Sequence, residues 1–184
     1  MDNYAQIDFS ELELDKLIDY IIDKHHAYCK QMLPMIGSHL LTVTDAEKNN
    51  PGFKSVSNYF PGFIDIVEEH LRKEEQIFFP FLKKTLGANR NKMKNHLSQF
   101  PLIENPLHIL QTEHEKLVSL MSQMRNDSRN YFVPENSSAA LNLCYNELDE
   151  FRIEFLKHIA IEENYLFPKI LELEKSLKYN HLIK

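Results

Sequence analysis

His70-Leu-Arg-Lys-Glu74-Glu75-Gln-Ile-Phe-Phe79-Pro80 returns 88 residues later as His158-Ile-Ala-Ile-Glu162-Glu163-Asn-Tyr-Leu-Phe167-Pro168. Both stretches read H-x-x-x-E-E-x-x-x-F-P. The same offset carries His26 onto His114 and Phe63 onto Phe151, while His25 lands on Glu113. An ungapped offset that runs through helices and connections alike points to two related helical hairpins facing each other about a pseudo-two-fold axis. Within each copy the histidine and the first glutamate are four residues apart. That spacing is about 6 Å along a helix axis and puts both side chains on one face.

Outward from the repeat, apolar residues keep the helical period. Leu14, Leu17, Ile18, Ile21 and Ile22 follow Ser10-Glu11-Leu12-Glu13, which fits an S-x-x-E capping box, and the pattern continues through Leu33 towards Leu41. Pro34 predicts a bend in this first helix. Residues 49–57, with Pro51-Gly52, read as a loop, and a second helix is expected from about Asn58 to Leu86. Gly87 stands where a helix end wants left-handed geometry. Residues 89–100 are polar and read as a loop or short irregular turn. A third helix is expected from Asn105-Pro106 to about Arg129, and a fourth from Pro134 to about Lys178. No stretch reads as a strand. The expected fold class is all-α, an antiparallel up-down four-helix bundle forming one domain over residues 1–184.

Composition agrees and removes several alternatives. The chain has 184 residues, 43% of them apolar and 26% charged, which suits one well-filled core. Only 4 glycines exclude collagen-like and linker compositions and a turn-rich all-β chain. No apolar run approaches the roughly 20 residues of a membrane span; the longest, residues 77–82, contains Pro80. The net charge of −6, without a basic block, argues against nucleic acid. The acidic N-terminus lacks the features of a secretory signal, and the 2 cysteines, Cys29 and Cys144, suit a reducing cytoplasm. The unusual count is that of histidine, 9 in all.

Four of those histidines belong to the repeat. His26, His70, His114 and His158 fall on four different helices, and Glu74 and Glu162 share faces with His70 and His158. One H-x-x-x-E alone is ordinarily a surface pair. Two copies, each with a partner histidine at the same offset, make a metal site the expected reading. The set of four imidazoles and two carboxylates suits iron, manganese or zinc and lacks the thiolates of a structural zinc site. Divided by the pseudo-symmetry, each of two metals takes two histidines, with the glutamates bridging and positions left for an oxo or hydroxo bridge, water or a diatomic ligand. At about 100° per residue, His39 and His108 face away from the ligand positions. His96 and His181 fall in a loop and a tail, and His25 at the bundle edge. For Glu75, Glu113 and Glu163 the simpler expectation is solvent-facing charge, with hydrogen bonding to a ligand imidazole as the alternative. Phe78, Phe79, Phe81, Tyr165 and Phe167 read as packing that keeps the site dry. Cys29 reads as a buried inert thiol, with a redox-responsive one as the alternative.

At these residues the chain resembles a haemerythrin-like (HHE cation-binding) domain, and within that group it is similar to the RIC, or repair-of-iron-centres, di-iron proteins. The resemblance runs from Leu17 to Pro168. It implies ligands His26, His70, His114 and His158, with bridging Glu74 and Glu162, around two iron ions joined by oxo or hydroxo and carboxylate bridges; zinc or manganese are the alternatives. Oxygen-carrying haemerythrins have a further histidine where this chain has Val118, and they end in H-x-x-x-x-D where it has H-x-x-x-E. Both differences favour the RIC-like site. The implied function is protection or repair of iron–sulfur clusters damaged by oxidative or nitrosative stress, through iron release or redox and nitric oxide chemistry. The rival is dioxygen or nitric oxide binding, sensing or iron storage without turnover. Implied partners are damaged iron–sulfur proteins, or dioxygen and nitric oxide as small ligands, and a monomer is the default. Many RIC proteins begin with a small domain carrying a cysteine pair. No cysteine precedes Cys29 here, so repair that needs such a pair is expected to draw on a separate partner.

Overall fold

The computed structural model describes residues 7–90 and 104–182, and every regular element among them is helical. Four rods form an antiparallel bundle. The first is α1 (Leu14–Tyr20), a π-helical stretch (Ile21–His26) and α2 (Ala27–Val43). The second is α3 (Pro51–Lys73), a π stretch (Glu74–Phe78) and α4 (Phe79–Arg90). The third is α5 (Glu104–Asp127) alone, and the fourth is α6 (Ala139–Ile161), a π stretch (Glu162–Leu166) and α7 (Phe167–Leu182). The first rod packs chiefly against the fourth and the second against the third, which seats one hairpin on the other.

Several element ends differ from the sequence reading, each for a local reason. Ser10 does not cap the first helix, because its backbone N–H and its hydroxyl both donate to the Asp8 carboxylate, at 2.9 and 2.6 Å. The second rod starts earlier than expected. The Asn50 side chain accepts from the N–H groups of Gly52 and Phe53, so Pro51-Gly52 is the first turn of α3 rather than a loop. Ser138 caps α6 in the same way through the N–H of Leu141. Gly87 lies inside α4, and no described glycine has positive φ. Left-handed geometry falls instead on Arg129, Asn130 and Tyr131, which reverse the chain after α5. The Ser128 hydroxyl accepts from the N–H of Tyr131 and donates to the Met124 carbonyl, and the Tyr131 side chain is buried. Pro34 and Pro61 lie within α2 and α3 without ending them. The expected loop at 89–100 lies outside the described residues from position 91, as does His96, while His181 falls within α7.

The π stretches sit at the repeat. Phe79 N–H donates to Glu74 O and Phe167 N–H to Glu162 O, five residues back, and Ala27 N–H does the same to Ile22 O. A proline ring clashes with the carbonyl four residues earlier. For Pro80 and Pro168 those carbonyls belong to Gln76 and Asn164, inside the π turns, so the helix loosens just ahead of each proline. Two apolar cores result. One gathers residues such as Leu33, Phe60, Phe63, Leu117, Tyr145, Phe151 and Phe155. The other gathers Leu17, Ile21, Phe79, Leu110, Phe167 and Ile170. Between them lies a polar layer.

Candidate metal centre

Each rod brings one histidine to that layer. His26 ends the first π stretch, His70 lies in α3, His114 in α5 and His158 in α6, while Glu74 and Glu162 open the second and third π stretches. None of the six is more than 1% exposed. Two overlapping groups form, His26 with His158 and His70 with His114, each sharing Glu74 and Glu162. The Nε2 atoms of His26 and His158 are 3.3 Å apart, and those of His114 and His70 are 3.2 Å apart. Glu74 Oε2 lies 3.3 Å from His26 Nε2 and 3.5 Å from His70 Nε2. Glu162 lies 3.1 Å from His114 Nε2 through Oε2 and 3.0 Å from His158 Nε2 through Oε1. The six residues that the repeat singles out are therefore within reach of one another, with each carboxylate set between the two imidazole pairs.

Behind the imidazoles stand the flanking glutamates, which bond the imidazoles of the layer while staying partly in solvent, Glu163 the most at 40% exposed. His26 Nδ1 donates to Glu75 Oε1 at 2.8 Å, His70 Nδ1 to Glu113 Oε2 at 3.0 Å, and His114 Nδ1 to Glu163 Oε1 at 3.1 Å. A carboxylate on Nδ1–H fixes the tautomer and leaves the Nε2 lone pair facing the layer. Lys30 Nζ caps Glu75 at 2.5–2.6 Å, and Lys73 Nζ caps Glu113. The hydrogen bond from His70 holds the Glu113 carboxyl down at about 2, against a partial burial that opposes it and with Lys73 helping. Phe79 stacks on His26 and Phe167 on His114, with ring centroids 5.8 and 5.9 Å apart, two contacts related by the repeat. Among the other histidines, His39 turns away and bonds Glu147 at 2.7 Å, and His108 is exposed on α5. His25 is not at the bundle edge. It is buried and stacks on His158, with centroids 5.9 Å apart and planes 12° apart. Desolvation pulls its imidazolium down to about 4, so it is neutral.

The donor set fits a pair of cations. All four oxygens of Glu74 and Glu162 are buried without a hydrogen-bond partner among the described residues, although buried polar atoms are nearly always satisfied. Burial and the neighbouring charge of Glu162 push Glu74 up to about 7, so two such carboxylates resist being ionised together unless positive charge lies between them. Imidazole nitrogen and carboxylate oxygen without thiolate match iron, manganese or zinc. The two cysteines stay out of the set. Both are buried and unpaired.

The flanking glutamates and His25 are the residues whose placement the sequence reading missed. Their signal was present in the offset itself, since positions 75 and 163 correspond, as do 25 and 113. Glu75, Glu163 and His25 lie in π stretches, which a 3.6-residue period does not represent, whereas Glu113 reaches His70 from the unbroken α5.

Comparison with known proteins points the same way. Residues 17–99 and 105–182 match the family model described as hemerythrin HHE cation binding domain, in two stretches whose starts are 88 residues apart (105 − 17). The chain is 25% identical over 165 residues to the iron-sulfur cluster repair protein YtfE of Escherichia coli O157:H7, covering 89% of this chain and 69% of that protein. It is 24% identical over 165 residues, with the same coverage, to the protein of that name from Escherichia fergusonii.

Proposed function

The chain belongs to the hemerythrin HHE cation-binding domain family, and on that premise we propose that it holds a non-haem di-iron centre and serves in the protection or repair of iron–sulfur clusters under oxidative or nitrosative stress. The proposed ligands are His26, His70, His114 and His158, with Glu74 and Glu162 bridging, in a single domain over residues 1–184. The observation that carries this reading is the dry layer in which two unpartnered carboxylates lie between two imidazole pairs. The relatives named for iron–sulfur cluster repair supply the functional direction.

Iron bound there would supply one-electron redox change, exchangeable iron, and open positions for small ligands such as nitric oxide. The protein's part is positional. Glu75, Glu113 and Glu163 orient three imidazoles, Lys30 and Lys73 hold two of those glutamates, and Phe79 and Phe167 keep water from the faces of His26 and His114. Proposed targets are iron–sulfur proteins as a class. A reducing, cytoplasmic setting accords with two unpaired thiols, and no described helix is long and apolar enough to cross a membrane.

Metal analysis of protein from iron-replete cells tests the reading. We expect two irons per chain and a near-ultraviolet charge-transfer band, both lost in the double variant His70→Ala/His158→Ala. Full iron in that variant sinks the ligand assignment, and zinc or manganese in the native protein sinks the di-iron assignment. Mixing the reduced protein with dioxygen separates the rival function: a stable, reversible adduct marks a carrier, whereas oxidation with iron loss marks repair.

A further inference from the structure

The 88-residue repeat is obeyed by the six donors, by the stacked Phe79 and Phe167, and by the supports Glu75 and Glu163. Among the residues that stand behind the imidazoles' Nδ1 atoms it is broken at one pair of positions, 25 and 113. The counterpart of Glu113 is His25, so the residue behind His158 is an imidazole where the residue behind His70 is a carboxylate. The consequence is visible in the contacts. His26, His70 and His114 each donate Nδ1–H to a glutamate, whereas His158 Nδ1 is buried with no partner among the described residues. His25 lies nearly parallel to the His158 ring, so it offers its face rather than an in-plane acceptor, and its own Nε2 is also unpartnered. Its other ring neighbour is Tyr20, in an edge contact at 5.6 Å.

The two groups of donors are therefore supported unequally. The His70–His114 group has two carboxylates behind its imidazoles, Glu113 and Glu163, while the His26–His158 group has one, Glu75. A carboxylate on Nδ1–H makes Nε2 a better donor, holds the ring in place and adds negative charge beside the cation. Losing such a partner ordinarily weakens metal affinity about 10–100-fold.

We infer that the two metal positions are unequal, with the cation on His26 and His158 held at least tenfold more loosely than the one on His70 and His114, and that His25 is the positioning residue responsible. This rests on the di-metal reading given above. The loosely held position is the one from which a metal leaves first, and it leaves one cation behind on the better-supported pair.

The test uses the full chain loaded with Zn²⁺ and competed with a chromogenic chelator, which reads zinc release rather than activity. The native protein should release zinc in two phases of one ion per chain, at chelator concentrations at least tenfold apart. His25→Glu should tighten the loose phase and shrink the separation at least threefold. Glu113→Gln should loosen the tight phase and shrink it from the other side; if His25→Glu yields no folded protein, this variant alone decides. Coincident phases in the native protein overturn the inference, as does a separation that the available variants leave unchanged, which would make it a property of the shared glutamates. A chain that takes up no zinc overturns the di-metal reading together with this one, whereas two ions leaving together overturn only the inequality.

Discussion

Cys29 lies one helical turn beyond His26, close enough to suggest that a thiol takes part in the chemistry of the centre. Its surroundings say otherwise. Burial, with the charges of Glu162 and Glu74 adding to it, pushes the thiol up to about 12, and burial pushes Cys144 to the same value. At pH 8 the thiolate fraction of each is then about one part in ten thousand, and the thiolate is the reactive form. Iodoacetamide at that pH should leave both cysteines unmodified in the native chain and modify both in urea, read by intact mass. Native modification of Cys29 would restore the redox-responsive alternative. The donors themselves were legible because a four-residue spacing and a constant offset depend on local helix geometry alone. The role of Glu75, Glu113 and Glu163 was not, because each bonds an imidazole of a neighbouring rod, and spacing along one helix does not say which rods stand side by side.

Element by element, the number and order of the rods could be read from the apolar period, and their ends could not. Asn50 shows why. Residues 49–57 contain the proline and glycine of a loop, yet the same Pro51 is favourable at the first position of a helix, and the Asn50 side-chain oxygen Oδ1 caps it. Gly52 then brings the start of α3 against the end of α5. A Cβ there would meet Ser128 Cα at 2.9 Å and Asp127 O at 3.3 Å, both backbone atoms, while a Cβ at Gly62 on the same helix would meet nothing within 4 Å. Overpacking costs about 1–3 kcal/mol, and Gly→Ala in an unstrained helix stabilises by about 0.4–1 kcal/mol. In urea unfolding, Gly62→Ala should raise the midpoint and Gly52→Ala should lower it. Equal midpoints for the two variants would mean that this junction yields freely.

At the scale of the whole molecule, the donor layer is a polar waist between two apolar cores, and neither core reaches across it. Any ligand that binds only the folded state adds stability by mass action, about 4 kcal/mol at a thousandfold excess over its dissociation constant. Among the described residues the core around Phe79 and Phe167 is the smaller. Removing the metal should therefore lower the melting temperature and speed amide exchange first in α1, α4 and α7, which carry that core, before α3 and α6. Exchange that accelerates evenly along all four rods would contradict a separable end. The pairing of the hairpins carries a further consequence, which concerns origin. Each donor group takes one histidine from the first hairpin and one from the second, so neither hairpin holds a complete group by itself. A chain of half this length, assembled with its own copy, would present the same six donors with exact two-fold symmetry, and whatever stood behind one histidine would stand behind its mate. Only once the halves were encoded as two separate sequences, as they are within this single polypeptide, could positions 25 and 113 drift apart. The mismatch between His25 and Glu113 is then a mark of duplication followed by divergence, written into the one layer where both halves meet.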